Sequence, residues 1–216
     1  MDTNNDKKVF ILAMLPLASF ADSNVTGNQS HIGFGYKHTH YSAESIAPYT
    51  DRKYSNSENK NLGGLYLSVS ANLYKSLYFS VYADFNTRFS TSINKWQVGL
   101  GLSLLKTPLL TVPFSCGVVN YRTESDYAPN HTDEGAYCST GINTQVATHW
   151  ALGIIYQHDF IDIPKNTFTI KNTFQFGSVF GITAGIDFAT RKKKETGLSL
   201  GLQFSFYNYL LITYKP

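Results

Sequence analysis

The side chains of this chain that could do chemistry are few. His158 and Asp159, with Asp162 close by, bring an imidazole next to carboxylates, the set that a rim hydrolase uses as a general base. Adjacent residues of a strand point to opposite faces, however, so His158 and Asp159 do not both enter one interior, and solvated rim residues are the expected reading. His38 and His40 stand two apart and offer two imidazoles on one strand face, but no third ligand follows at a metal-site spacing, and no metal is expected. Cys116 and Cys138 lie equidistant from Tyr127, so a hairpin centred there sets them opposite each other. Two readings stay open for them: a disulfide formed in an oxidising compartment, or two thiols packed as small apolar groups.

Arg191, Lys192, Lys193 and Lys194 form a compact basic run. Such a run is usually a solvated turn, and its functional reading is charge-assisted contact with the phosphates of lipopolysaccharide. No catalytic residue, cofactor or metal is expected, and the chain is read as a non-enzyme. A net charge of +3 over 216 residues is too small and too dispersed to imply a nucleic-acid partner.

The elements that carry these residues follow from one pattern. From about residue 30 onward the chain falls into segments of about ten residues in which every second side chain is apolar, the period of a strand with one hydrophobic face. Leu65, Leu67, Val69, Ala71 and Leu73 alternate with Gly64, Tyr66, Ser68, Ser70 and Asn72. After a tight turn at 74–76, Leu77, Phe79, Val81, Ala83 and Phe85 repeat the alternation. Trp96 to Leu104 and Leu198 to Phe206 show it as clearly, and segments near 31–41, 110–121, 136–146, 150–158, 167–177 and 180–190 show it less cleanly. Helical periodicity is absent from the strong segments. The expected fold is all-β, an antiparallel up-and-down transmembrane β-barrel of about ten strands, eight being the other even count considered, in one domain over 22–216.

Ahead of it, residues 1–21 read as a cleaved signal peptide. Lys7 and Lys8 supply the positive region, Val9 to Leu17 the apolar core, and Ser19-Phe20-Ala21 the cleavage site. That apolar run is shorter than the roughly 20 residues a membrane helix needs, so insertion is expected by strands.

Alternation alone does not say which face meets water, since a soluble barrel turns its apolar face inward and a membrane barrel turns it outward. Three features favour the membrane. The polar phase is rich in Gly, Ser, Asn, Gln, Thr and Tyr rather than Lys and Glu. Aromatic residues such as Phe85, Trp96, Trp150 and Phe206 stand near strand ends, as interfacial girdles do. Short connections alternate with longer polar ones, read at 42–61 and 122–135. Lys37, Asp84, Lys95, Lys171 and Asp187 fall on the inward phase and are expected to pair with each other, because buried charges need partners.

The segment Ser199-Leu200-Gly201-Leu202-Gln203-Phe204-Ser205-Phe206 resembles the last-strand signal that outer-membrane proteins present to their insertion machinery, with Gly201, Phe204 and Phe206 at its marked positions. By pattern, residues 30–206 resemble the small OmpA-like, porin-like bacterial barrels. Members usually end on the final Phe, whereas here Tyr207 to Pro216 follow, and either Phe206 or Tyr214 closes the last strand. The resemblance implies a cell-envelope protein of the Gram-negative outer membrane. Its expected partners are membrane lipid and lipopolysaccharide, the barrel-insertion machinery and an unidentified loop ligand. The expected role is structural or surface interaction with at most a narrow pore. A soluble periplasmic ligand-binding barrel and a rim-active lipid or peptide hydrolase are the alternatives.

Overall fold

In a computed structural model of the chain, residues 30–41, 61–88, 91–126, 128–191 and 193–206 are described. The expected signal peptide, the 42–60 connection, Lys192 and the tail beyond Phe206 lie outside them. Ten strands follow one another: β1 (His31–Tyr41), β2 (Asn61–Tyr74), β3 (Leu77–Arg88), β4 (Thr91–Lys106), β5 (Leu110–Ser125), β6 (Ala128–Ala147), β7 (Trp150–Phe160), β8 (Lys165–Phe176), β9 (Phe180–Thr190) and β10 (Lys194–Ser205). Each pairs antiparallel with its neighbours in sequence, and β1 pairs with β10 from His31↔Ser205 to Tyr41↔Glu195, closing the ring. Closure leaves no strand edge along the wall, the condition a β-structure must meet in hydrocarbon. The inner-end turns are tight. Lys75 takes a left-handed φ of 44° between β2 and β3, and Gly177 takes φ 74° between β8 and β9, a conformation that suits a residue without a Cβ.

The apolar phase faces outward. Leu65 is 66% exposed, Leu100 54% and Leu200 62%, whereas the interleaved Ser70 and Gln203 are buried. A water-soluble barrel would gather those leucines at its centre, so the soluble alternative is overturned by the direction of the side chains. Aromatic rings collect at both ends of this belt. Trp150 stacks on Phe174 at 5.7 Å, and Phe180 meets Phe204 edge-on at 5.5 Å at the inner end. Phe85, Trp96, Phe160 and Phe188 stand exposed toward the outer end.

One boundary differs from expectation. Residues 122–135, read as a polar loop, continue the β5–β6 ladder through Arg122↔Thr132 and Thr123↔His131 to a tight turn. The register of β6 with β7 begins only at Ala136↔Phe160, so this hairpin rises past its neighbour. Its outward side chains there are polar and solvated, with Arg122 and Glu124 paired at 2.7 Å. The hydropathy alternation therefore stops where lipid stops, although the ladder does not.

Cys116 and Cys138 occupy facing register positions with Cα atoms 4.1 Å apart and form a disulfide with an S–S distance of 2.08 Å. Their neighbours Ser115 and Tyr137 point inward and are buried, so the bond lies on the outer face of the wall, where it ties β5 to β6. Unreduced, denatured protein is accordingly expected to take up no thiol reagent, and to take up two equivalents after reduction. Mass spectrometry after alkylation measures both, and thiol labelling before reduction would show the bond absent.

Candidate functional site

Packing of the interior begins with glycine. Gly35 and Gly201 face each other across the β1–β10 closure, and a side chain at either position would run into Tyr66. The bare backbone lets the Tyr66 ring lie across the seam, where its hydroxyl shares a 3.0 Å hydrogen bond with Thr183 Oγ1 on β9. One tyrosine thereby clips β2 to β9 over the two strands that close the ring. Gly99 and Gly101 on β4 likewise accept the hydroxyl ends of Tyr137 and Tyr78. The inward phase thus alternates small and large, as a narrow barrel filled by its own side chains requires.

Above these rings sits a network of charges. Lys37 Nζ lies 3.0 Å from Asp84 Oδ2 and 3.1 Å from Asp187 Oδ2, and donates to the Tyr82 hydroxyl at 3.2 Å. Asn86 donates to the second oxygen of Asp84 at 3.1 Å, and the Thr169 hydroxyl donates to Asp187 at 2.7 Å. Asp159, fully buried, accepts from the Tyr121 hydroxyl and from Gln157 Nε2, both at 2.5 Å, and faces Lys95 at 3.5 Å. Lys165 pairs with Glu195 at 2.7 Å.

The Tyr121 ring is the hub. Lys95, Lys165 and the Arg191 guanidinium stand 5.2, 5.4 and 4.6 Å from its centroid, within cation–π reach. Carboxylates around the ring hold these cations together, since three positive charges in one space would otherwise repel. A cavity of about 50 Å³ remains among Lys37, Lys95, Lys165, Asp84, Asp187 and Glu195, enough for a few waters. Toward the outer end Tyr41, Leu62 and Ile93 form a buried apolar cluster. At this height the lumen is a plug of compensated charge, not an open channel.

The residues singled out from sequence divide unevenly. Lys37, Asp84, Lys95, Lys171 and Asp187 all face inward, and Lys37 pairs with Asp84 and Asp187 as expected. Lys95 takes a different partner, Asp159, which the sequence reading put at the rim. His158 points outward, with Nδ1 2.7 Å from Asn166 Oδ1 and its ring edge-on to Phe160 at 4.4 Å. It therefore turns away from the Asp159 carboxylate. His40 lies exposed, with Nδ1 2.7 Å from Asn61 Oδ1.

The basic run does not act as one patch. Arg191 is a correction: its guanidinium is nearly buried, lies 3.9 Å from Asp133 and covers Tyr121, so it is not a surface contact. Burial pushes its pKa below the ordinary arginine value while the Glu195 carboxylate pushes it up, and an arginine so partnered stays cationic. Lys193 and Lys194 are exposed, and Lys192 lies outside the described residues. Within the C-terminal segment, Gly201 faces the lumen under Tyr66, Phe204 faces outward, and the Phe206 N–H donates to the Ser30 carbonyl at 3.1 Å just past β10.

Sequence reasoning missed Asp133, Tyr121, Lys165 and Glu195. Strict alternation carried on toward the outer end reaches Asp159 from Gln157 and Glu195 from Gly197. Both strands were ended too early, because the apolar phase that marked them fades above the membrane.

No protein-family model matches the chain, and no curated protein matches it in sequence. Among solved structures, it resembles Ail, the attachment invasion locus protein of Yersinia pestis, at 11% identity and a TM-score of 0.43, over 83% of this chain and 99% of that one. It resembles the outer membrane protease OmpT from Escherichia coli at 8% identity and a TM-score of 0.49, over 84% and 98%. The outer membrane protein OprG from Pseudomonas aeruginosa gives 9% and 0.46, over 86% and 100%. Likenesses this distant carry no argument, and the architecture rests on the geometry of this chain. Its closed antiparallel register, outward apolar belt and polar, charge-compensated interior make it a ten-stranded transmembrane β-barrel of the outer-membrane type.

Proposed function

We propose that the chain is an integral protein of a Gram-negative outer membrane with a structural and surface-interaction role, exercised through its outer end rather than through bulk transport. The observation that carries this reading is the plug: Lys37, Lys95, Lys165 and Arg191, each with a carboxylate, fill the lumen toward the outer end of the apolar belt. Ten strands enclose little more space than the eight that side chains fill, far less than porins of 16 or more. A narrow water path fits that space, and a general pore does not. The chain is read as non-enzymatic, which the outward turn of His158 supports.

Contacts at the outer end involve lipopolysaccharide phosphates through the exposed Lys193 and Lys194, and an unidentified partner of the 42–60 segment and the tall β5–β6 hairpin. Gly201, Phe204 and Phe206 are the residues proposed to engage the insertion machinery. Refolded mature protein is expected to show a heat-modifiable electrophoretic shift and only small or no steps in planar-bilayer conductance. Large porin-like steps would overturn the plugged reading, and partition of folded protein into detergent-free buffer would overturn the membrane one. In the same preparation, alanine at Lys193 and Lys194 should lower co-purified lipopolysaccharide, and unchanged lipopolysaccharide would remove that contact.

A further inference from the structure

Among the described residues, five cations face inward in the network and the layer beneath it; four meet a carboxylate and one does not. Lys37, Lys95, Lys165 and Arg191 each have an anionic partner, whereas Lys171 donates a hydrogen bond to the Gln203 side-chain carbonyl at 3.1 Å. A charge held out of bulk water needs a counter-charge or strong hydration, and no carboxylate among the described residues supplies the first to Lys171 at ion-pairing distance.

The surroundings suit a counter-ion. The register partners of Lys171 are Gly153 on β7 and Gly185 on β9, so neither neighbouring strand screens it with a side chain of its own. Over those glycines reach only small polar groups: Asn143 Oδ1 would lie 2.7 Å from a Cβ at Gly153, and Ser199 Oγ 2.6 Å from one at Gly185. Lys171, Ser199 and Asn143 are half-buried, while the layer below them is closed by buried Gln175, Gln203 and Ser205, linked at 3.2 and 3.4 Å. Neither register neighbour of Lys171 therefore crowds it with a bulky side chain.

The wider field has a direction. Asp84 and Asp187 together exceed Lys37 by one negative charge, and Asp187 spends its oxygens on Lys37 and Thr169 rather than on Lys171. Lys171 instead reaches toward Gln203, which stands through Gly181 in register with Gln175, nearer the inner end of β8. The lumen is thus polarised, negative in its outer half and positive in its inner half.

We propose that the inner half of the lumen binds a small monovalent anion of the halide class on the Lys171 ammonium, beside Gln203 and on the inner side of Gly153 and Gly185. A single ammonium with hydroxyl and amide neighbours suits a compact singly charged ion better than a phosphate, which prefers several cations or a bidentate arginine. The site needs no conduction through the plug, so it stands or falls separately from the narrow-path reading.

The test is crystallisation of the detergent-folded protein in sodium bromide, read by anomalous scattering. The expected result is a bromide peak within hydrogen-bond distance of Lys171 Nζ in the wild type. That peak should vanish in Lys171→Met, which keeps the aliphatic stem, with folding of the variant checked by heat modifiability. A wild-type map with no peak at Lys171 overturns the proposal whether or not the variant folds, since the ammonium would then be hydrated or neutral. A peak that persists in Lys171→Met overturns it as well. Bilayer conductance of the same protein tests the narrow path alone.

Discussion

Asp159→Asn is expected to destabilise the folded barrel by about 3–5 kcal/mol, the usual result of removing one partner of a buried ion pair. The carboxylate is fully buried and takes hydrogen bonds from Tyr121 and Gln157 while facing Lys95. Asparagine keeps the volume but removes the charge, leaving Lys95 to share the Tyr121 ring with Lys165 and Arg191 under reduced compensation. The loss follows from the abandoned cation more than from the missing bonds. Adding Lys95→Met should therefore restore much of the stability, because a well-packed apolar replacement of the whole pair is often neutral. Urea unfolding of the refolded protein in lipid vesicles measures both variants. A double variant no more stable than Asp159→Asn would show that the pair is not what the network depends on.

Val69→Lys is expected to cost about 2–4 kcal/mol, the range for a cation on the lipid face near the bilayer midplane. Val69 is central among the outward side chains of β2, with Leu65 and Leu67 on one side and Ala71 and Leu73 on the other. Its register neighbours Ile32 and Val81 are apolar, so nothing nearby can solvate an ammonium. Ser68→Lys, one residue away, should cost much less. Ser68 points into the lumen beside Gly33, where a cation meets polar groups rather than lipid. Equal losses for the two in the same unfolding assay would contradict the facing of the wall.

These two experiments probe different kinds of information. The facing of Val69 is legible along the chain, because in a strand that touches lipid every second residue must be apolar. The same rule located the other strands and placed Lys37, Asp84, Lys95, Lys171 and Asp187 inward. It failed at the outer ends of β5, β6, β7 and β10, where water replaces lipid and the outward residues need no longer be apolar. Arg122 and Glu124 read as loop residues for that reason, and Asp159 and Glu195 fell past the assigned strand ends.

Pairing within the lumen was a harder matter. Alternation tells that a lysine faces inward but not which carboxylate shares its height, since that depends on the stagger accumulated around a closed ring. Lys95 on β4 meets Asp159 on β7, and Arg191 beyond β9 meets Asp133 on β6, across the interior rather than along a ladder. The basic run at 191–194 looked uniform because composition carries no direction; burial draws Arg191 in and leaves Lys193 and Lys194 out.

The amino-acid sequence by itself marked the strands as about ten, eight being the other count, and sorted the side chains of each into an apolar and a polar face, because lipid imposes a strict period of two on any backbone that crosses it. Only the tertiary structure decided which charges meet, that among the described residues four cations of the network are compensated and Lys171 is not, and that Tyr66 lies over the glycines of the seam. Those depend on distances across a closed cylinder, which no local pattern encodes.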